Sequence, residues 1–429
     1  MKKLFILFLL FVPITFFASD FIIGDPLPDA PELAYRGDYH VGVRTLYVSD
    51  PGRIDILNYS NENSEPIYDR PLTLEVWYPA IIPENKNELT NYDDPNYVDE
   101  SIIHMGRALR NAEPVEGKFP LIILSHGYPG TRFMMSYLTE NLASKGYVVI
   151  AIDHTDSTVI DQNKFYSTLL NRSLDILFTL DKTEELSKKE SSFLYNLVDT
   201  DNVGLAGYSM GGYGIINVAG AGYTEASVNY SWGVPGGYLS MRQSGNPEYE
   251  ETIDPRIKAI FAMAPWGAAY FWNEETMKGL EIPSFFVVGE YDDVAGYENG
   301  VKLFFDWAVN SESYLLTVEN ARHNVAPNAY GSNPLPSFKM TSDDFLRYNE
   351  PAWDNKRLNN IVQHFATAFF GIYLKSMPYD NYLDLIESSN EGVWNQDENG
   401  EFTEEHTHWA GFPYRTALGL QFRKREIIE

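Results

Sequence analysis

The sequence predicts an α/β fold in which helices cover both faces of a mostly parallel central sheet. From about residue 117 onward, apolar runs of strand length alternate with longer segments whose leucines recur at helical spacing. The strand-like runs are apolar throughout, which is typical of strands buried on both faces. The hydrophobic content of 44% over 429 residues is sufficient for a large core.

The predicted elements follow one another in a regular order along the chain. Two strands come first, and a polar, Asn-rich excursion separates them from the alternating region. The predicted strands span residues 41–48, 71–80, 119–125, 147–153, 202–208, 257–264, 283–289 and 313–320. The predicted helices span residues 132–146, 163–190, 210–220, 297–308 and 356–375.

The chain divides into four predicted parts. Residues 1–19 form a signal peptide, 20–70 an N-terminal extension that packs on the core, 71–376 the core domain, and 377–429 a C-terminal tail without a readable pattern. Within the core domain, an irregular insert at 222–255 carries aromatic residues among glycines, so it is a candidate flap over a binding site.

The signal peptide is predicted from two lysines followed by a mostly apolar run from Leu4 to Ala18. That run is shorter than the roughly 20 residues that span a membrane. Cleavage near Ala18 or Ser19 predicts a secreted or periplasmic protein, and an uncleaved anchor is the alternative. Because no second apolar segment of membrane length follows, no stable membrane insertion is expected after cleavage.

Composition excludes several function classes. The formal net charge of −28 argues against nucleic acid and anionic membranes as partners. The chain has 0 cysteines, which excludes thiol nucleophiles, thiolate metal sites and disulfides.

The segment GLAGYSMGG, residues 204–212, predicts a tight turn between a buried strand and a helix. Ser209 lies at the centre of that turn, with Gly207 and Gly211 two positions to either side. Such a turn strains its central residue, and glycines remove side chains that would collide. The pattern therefore predicts a nucleophile elbow that lifts the Ser209 hydroxyl clear of the sheet.

A serine nucleophile needs a base, and an acid that orients the base. His323 follows the last predicted strand directly, in ENARHNVAP, where a base at the sheet edge is expected. Asp292, three residues past Gly289, is the predicted acid, and Asp293 is the alternative. The chain order is then serine, acid, histidine.

The other histidines near or after the motif have simpler interpretations. His126 precedes the serine and is predicted to be a structural hydrogen-bonding group under its loop. His364 lies in an apolar helix and is interpreted as a core or surface residue. His406 and His408 form a lone H-x-H in an acidic tail, for which solvated surface is favoured over a metal site, so no metal is predicted.

Two backbone N–H groups are the expected donors to a developing oxyanion. Met210 follows the nucleophile directly, and Tyr128 lies in the glycine-containing loop SHGYPG after another strand. Arg132 is the one basic residue that the sequence suggests near this site.

These segments resemble known families. PLIILSHGYPGTR, LTENLASKGYVVIAIDHTDST and GYSMGG look like the dienelactone-hydrolase and platelet-activating-factor-acetylhydrolase branch of the α/β-hydrolases. The loop HGYPG, the turn SMGG, APW, GEYD and ARHNV also resemble the corresponding segments of cutinase-like polyester hydrolases. This second resemblance implies a pocket role for Trp266, and Tyr208, beside the nucleophile, is a further substrate-binding candidate.

The expected function is a secreted serine hydrolase that cleaves carboxylic esters through an acyl-enzyme, without a metal or organic cofactor. Short, neutral or aromatic esters are the expected small-molecule substrates, because aromatic residues surround the serine and the chain is strongly acidic. Two alternatives stay open: a serine peptidase of the prolyl-oligopeptidase kind, and an inactive binding protein with the same fold.

Overall fold

A computed structural model describes residues 22–95, 101–230, 233–329 and 346–427. The predicted signal peptide, 1–19, lies outside the described residues and stays a prediction. Within the described ranges, no helix combines the length and hydropathy that a membrane crossing requires.

The strands agree with the predicted apolar runs, and five more strands add to them. They are β1 (His40–Ile54), β2 (Ile67–Ile81), β3 (Thr90–Pro95), β4 (Ser101–Gly106), β5 (Leu109–Arg110), β6 (Glu113–Pro114), β7 (Phe119–Ser125), β8 (Val148–Asp153), β9 (Val198–Tyr208), β10 (Ile257–Met263), β11 (Ser284–Gly289), β12 (Ser313–Val318) and β13 (Leu420–Arg425).

Eleven of the described strands form one sheet in the order β13-β12-β11-β10-β9-β7-β8-β2-β1-β5, with β6 beside β2. The six central strands, from β12 to β8, run parallel, whereas β2 and β13 pair antiparallel at either side. The predicted α/β fold with a mostly parallel sheet is confirmed. Strands β3 and β4 form a separate hairpin.

Helices cover both faces of this sheet, as predicted. They are α1 (Ser136–Ser144), α2 (Phe165–Lys188), α3 (Met210–Val218), α4 (Glu225–Val228), α5 (Pro247–Glu250), α6 (Ala268–Phe271), α7 (Glu274–Met277), α8 (Lys302–Trp307) and α9 (Asn355–Lys375). One core layer packs α1 and α9 against the sheet, and the other packs α2, α3 and α8. Alternate residues of β7 enter opposite layers, which explains why the whole strand is apolar.

The chain before residue 71 and the tail after residue 376 both contribute to the main sheet. Strand β1 pairs with β2 along most of its length, and β13 pairs with β12 at the opposite edge. The described residues of the insert at 222–255 form short helices that pack against α3: Arg242 Nε donates to Asn217 Oδ1 at 2.7 Å, and Tyr249 Oη donates to the Asn217 carbonyl. The boundaries of the four predicted parts stay predictions.

The sheet order determines where loops from distant parts of the chain meet. After β7 the chain adds β8 on one side, and it then returns to add β9 on the other side of β7. Loops that leave β7 and β9 therefore open a crevice at the carboxyl edge, which is the usual binding position in open α/β sheets. Ser125 ends β7 and Tyr208 ends β9, so the HGYPG loop and the Ser209 turn lie at this crevice.

Candidate active site

Ser209 lies on the turn between β9 and α3 with φ 52° and ψ −113°. This left-handed conformation is strained for a residue with a side chain, and the surroundings hold it. Ser209 N–H donates to the Met263 carbonyl at 2.9 Å, and the Ser209 carbonyl accepts from Tyr213 and Trp266 N–H at 3.1 Å each. The strain that the sequence predicts is therefore present and is fixed by three backbone hydrogen bonds.

The glycines around Ser209 are needed because the backbones approach closely. A side chain on Gly207 would come within 2.5 Å of the Gly211 backbone, and one on Gly211 would overlap the Ser125 carbonyl. The start of α3 can thus approach β9 only because Gly207 lacks a Cβ atom, and it can approach β7 only because Gly211 lacks one.

A continuous row of hydrogen bonds starts at the Ser209 hydroxyl. Ser209 Oγ lies 3.0 Å from His323 Nε2, and His323 Nδ1 lies 2.9 Å from Asp292 Oδ2. The three residues follow β9, β12 and β11, so they meet at the carboxyl edge of the parallel strands. A histidine held in this way can take a proton from the serine and leave the resulting positive charge beside a carboxylate.

The Asp292 carboxylate is held in its ionised form. Its Oδ1 accepts the backbone N–H groups of Val294 at 2.9 Å and Ala295 at 2.8 Å. Burial would raise the pKa of Asp292, but the hydrogen bond and charge of His323 and these two N–H donors hold that pKa below its ordinary value. The alternative acid, Asp293, is exposed and instead pairs with Arg322 at 2.7 Å.

The two residues predicted to donate a backbone N–H, Met210 and Tyr128, belong to the segments around Ser209. Met210 is the first residue of α3, and the first N–H groups of a helix have no partner inside the helix. Tyr128 follows Gly127, whose added Cβ would be 3.5 Å from Ser209 Cβ. Both N–H groups can therefore face a carbonyl oxygen of a molecule bound at Ser209.

Ser209 and His323 open into a cavity of about 680 Å³. Its other lining residues are Gly127, Tyr128, Pro129, Met134, Tyr208, Val294, Asn324, Leu346 and Arg347. Sequence reasoning missed Arg347, and no motif marks it. Its guanidinium lies 3.7 Å from the buried Asp94, so the cationic side chain in the cavity has a carboxylate beside it.

Arg132, the basic residue suggested by the sequence, does not line this cavity. Its guanidinium binds Glu75 at 3.0 Å and also Asp153, both of which lie under it in the core. These two carboxylates direct the side chain away from Ser209. Arg347, which the sequence does not suggest, is a basic residue that lines the cavity.

The predicted substrate-binding aromatics have different surroundings. Tyr208 lines the cavity with its ring 5.2 Å from the His323 ring, and its hydroxyl donates to Asn324 Oδ1 at 3.1 Å. Trp266 is absent from the cavity lining given above. Its half-buried ring packs between Phe165, at 5.6 Å, and the exposed Tyr270, at 6.0 Å. Phe165 also contacts the Tyr128 ring, at 5.0 Å, so an aromatic row leads from the cavity to the surface.

The predicted core and surface histidines His364, His406 and His408 have partners of their own. His364 is buried in α9, and its Nδ1 accepts the Leu33 N–H at 3.2 Å. His406 and His408 pack their rings on Trp394 in the tail. Within the described ranges, no three His, Asp or Glu side chains are grouped so that they could hold a metal ion.

A second Ser–His–Asp row lies in the core beneath the site. Ser125 Oγ is 2.9 Å from His154 Nε2, and His154 Nδ1 is 3.0 Å from Asp175 Oδ2. Asp175 also binds the Arg70 guanidinium at 2.8 Å. All four side chains are at most 1% exposed, so no bound molecule can reach this second serine.

Sequence comparison finds relatives among ester hydrolases. A family model described as PET hydrolase-like matches residues 110–233, a stretch that includes Tyr128, Ser209 and Met210. The chain is 26% identical over 256 residues to cutinase est2 of Thermobifida alba, covering 58% of this chain and 69% of that protein. It is 22% identical over 239 residues to a bis(hydroxyethyl) terephthalate hydrolase of Streptomyces coelicolor, covering 55% of this chain and 61% of that protein.

Comparison of folds finds a further match. A ferulic acid esterase from Streptomyces cinnamoneus matches with a TM-score of 0.55 and 18% identity, covering 81% of this chain and 94% of that one. This likeness shows the fold. The predicted resemblance to cutinase-like hydrolases is confirmed, whereas the resemblance to dienelactone hydrolases stays a prediction. The fold is that of an α/β-hydrolase, and the relatives support an ester-cleaving hydrolase of the serine esterase kind.

Proposed function

We propose that this hydrolase cleaves carboxylic esters through an acyl-enzyme formed on Ser209, with His323 as base and Asp292 as acid. The observation that carries the proposal is the unbroken row of hydrogen bonds from Ser209 Oγ through His323 to Asp292, beside a cavity. Such a row lets a neutral hydroxyl become a nucleophile at the moment of attack.

In the first half-reaction, His323 Nε2 takes the hydroxyl proton as Ser209 Oγ attacks the ester carbonyl carbon. The imidazolium that forms is stabilised by Asp292, which its N–H donors keep ionised. Nε2 then gives the proton to the departing alkoxide, and the alcohol leaves. A water molecule next attacks the acyl-enzyme with the same base, which releases the acid and restores Ser209.

The negative oxygen of both tetrahedral intermediates would accept the Met210 and Tyr128 N–H groups. Their position beside Ser209 supports this role, because a fixed donor stabilises the charge that develops only in the transition state. Loss of one such donor typically reduces kcat by about 10²–10³-fold.

Short, neutral or aromatic esters are the proposed substrates. Aromatic side chains line the cavity or approach it, and the Asp94 carboxylate offsets the Arg347 charge, which reduces the attraction for an anionic group. Burial would raise the pKa of Asp94, but the His104 ring at 3.5 Å and the charge of Arg347 hold that pKa below its usual value. The terephthalate hydrolase and the ferulic acid esterase are both named for esters of aromatic acids, which is consistent with this preference.

A fluorophosphonate probe tests the function directly. The probe should label the enzyme at Ser209, as located by peptide mass spectrometry, and p-nitrophenyl butyrate should give a burst of nitrophenol followed by a slower steady state. An unlabelled, inactive protein would favour the alternative of a binding protein. Cleavage of prolyl peptides faster than esters would favour the peptidase.

Trp266→Ala tests the substrate proposal. If the aromatic row binds aryl groups, the variant should lose about 1–3 kcal/mol of transition-state stabilisation with p-nitrophenyl benzoate, as calculated from kcat/KM. The loss with p-nitrophenyl acetate should be smaller. Trp266→Phe is the matched control, because it keeps an aromatic face and should retain most of the benzoate activity. Equal losses on benzoate and acetate would contradict the proposal.

A further inference from the structure

The peptide group between Gly127 and Tyr128 carries one of the two proposed oxyanion donors. Its N–H belongs to Tyr128, and its carbonyl oxygen belongs to Gly127. That carbonyl oxygen lies 2.6 Å from Nδ1 of His126. Because a peptide group is planar and this bond is trans, the N–H points opposite to the carbonyl. Whatever holds the carbonyl therefore also sets the direction of the N–H.

The surroundings of His126 determine which ring nitrogen carries the proton. Nε2 faces the backbone N–H of His154 at 3.3 Å, and since a backbone N–H can only donate, Nε2 must accept. The proton then lies on Nδ1, where it donates to the Gly127 carbonyl. Burial, together with the charge of Arg172, lowers the pKa of His126 well below its usual value, so this neutral form persists.

The His126 ring and backbone are both fixed. The ring packs against that of His154 at 5.1 Å, and a Cβ on Gly130 would come within 2.6 Å of His126 Nδ1. Arg172 Nη1 donates to the His126 carbonyl at 2.7 Å, and its Nη2 donates to Ser157 Oγ at 2.6 Å. The ring therefore has little freedom to release the Gly127 carbonyl.

We infer that His126 is a positioning residue, whose Nδ1–H holds the Gly127 carbonyl so that the Tyr128 N–H points at the oxyanion. The inference rests on the proposed function. It assigns His126 an influence on the transition state without any contact between His126 and the substrate. Binding of the uncharged ester should depend on it far less than the chemical step does.

Two substitutions of similar size separate positioning from packing. His126→Asn brings an amide N–H close to the position of Nδ1 and keeps a donor for the Gly127 carbonyl. His126→Gln brings its amide close to the position of Nε2 and leaves that carbonyl without its donor. We expect kcat for p-nitrophenyl butyrate to fall by about 100-fold in His126→Gln, with KM changed little, and to stay close to the parent value in His126→Asn.

A second readout follows the oxyanion itself. The affinity for a trifluoromethyl ketone, which forms a tetrahedral adduct on serine, should fall in His126→Gln in proportion to kcat/KM. Equal losses in the two variants, or full activity in His126→Gln, would overturn the inference. Thermal unfolding of each variant identifies any loss that arises from misfolding.

The parent enzyme provides a test that needs no variant. Nitrogen-15 NMR of the imidazole should find Nδ1 of His126 protonated and Nε2 unprotonated between pH 5 and pH 9, and the opposite tautomer would overturn the inference. A different result would contradict the proposed function. In that case a fluorophosphonate would not label the parent enzyme at Ser209, whatever the tautomer of His126.

Discussion

The two Ser–His–Asp rows of this molecule are nearly identical in length and differ in surroundings. In the row at the cavity, the two hydrogen bonds measure 3.0 and 2.9 Å, and in the core row that starts at Ser125 they measure 2.9 and 3.0 Å. Ser209 and His323 line a cavity, whereas Ser125 is 0% exposed. The Ser–His–Asp pattern of hydrogen bonds alone therefore does not distinguish the proposed nucleophile, Ser209, from the buried Ser125.

The charges around the two histidines differ as well. Burial and the nearby Arg172 lower the pKa of His154 to about 3, although Asp175 opposes this, so the ring cannot take up a proton at neutral pH. Asp175 shares its charge with Arg70 and Arg53, whereas among the described residues Asp292 accepts hydrogen bonds from His323 and from the backbone N–H groups of Val294 and Ala295. The two rows therefore differ in the accessibility of the serine and in the charges that lie beside the carboxylate.

Replacement of Ser209 and of Ser125 should give the largest difference in kcat between the two rows. Ser209→Ala should reduce kcat by about 10⁶-fold, because the covalent route is lost, and His323→Ala should cost about as much. Ser125→Ala should change kcat by less than about tenfold, because Ser125 is buried and its hydrogen bonds to His154 and Arg172 contribute to stability, each by about 0.5–1.5 kcal/mol. Steady-state hydrolysis of p-nitrophenyl butyrate measures all three. Residual activity of more than a few per cent in Ser209→Ala would show that the wrong serine was assigned.

Replacement of the two adjacent aspartates should give the second largest difference in kcat. Asp292→Asn should reduce kcat by about 10⁴-fold, because the amide holds the wrong tautomer of His323. Asp293→Asn removes only an exposed ion pair with Arg322, worth about 0–1 kcal/mol, and is the matched control. The reverse ranking of the two kcat values would transfer the acid role to Asp293.

Asp175→Asn should affect stability rather than chemistry. It leaves the buried Arg70 guanidinium without its main counter-charge, which should lower the free energy of unfolding by about 3–5 kcal/mol. Asp181→Asn removes an exposed partner of Arg256 and should cost less than about 1 kcal/mol. Urea unfolding at pH 7.5 compares the two. If Asp175→Asn loses no more stability than the control does, Asp175 is not the group that neutralises the buried Arg70 guanidinium.

The pH dependence of stability should reflect the buried His154. The unfolded chain protonates this ring near its ordinary pKa of about 6.5, whereas the folded protein does so only near pKa 3. Between these values the unfolded state binds more protons, so stability falls as the pH falls, by up to about 1.4 kcal/mol per pH unit for one histidine. His154→Asn keeps a donor for Asp175 but does not titrate.

Urea unfolding of the parent and of His154→Asn at pH 7, 6 and 5 isolates this contribution. The stability difference between the two proteins should shrink or change sign as the pH is lowered. Glu140 acts in the opposite direction, because burial raises its pKa to about 7, but it is common to both proteins and cancels. Parallel pH curves for the two proteins would show that His154 does not titrate differently on folding.

The sequence predicts the central strands and the helices that cover them, and it predicts the turn at Ser209. These features depend on short apolar runs and on glycines that close backbone approach demands. His323 and Asp292, the other two members of the Ser209 row, are predictable in the same way, because each must follow a strand of the parallel set. Asp292 rather than Asp293 is suggested by its spacing from the strand end, and the structure shows the two carboxylates facing different partners.

Other features are not predictable from local pattern. Strand β13 alternates Leu420 and Phe422 with charged or polar residues, but six residues far from any other element carry little signal. Arg347 reaches the cavity through pairing with Asp94, which is distant in the chain. The direction of Arg132 is likewise determined by Glu75 and Asp153, which only the folded sheet brings beneath it. The positions of the Arg347 and Arg132 side chains depend on ion pairs with residues that are distant in the chain, and no sequence spacing predicts such pairs.

The pairing of β12 with β13 has a consequence for synthesis. Residues 319–419 separate the two strands in the chain, so the ribosome makes the partner of β12 last among the strands described. At about 5–20 residues per second, that interval lasts roughly 5–20 s. During this time the edge of β12 has no partner, and an unpaired edge readily joins a foreign strand. Pairing with β13 therefore covers the edge of the strand that immediately precedes the loop of His323.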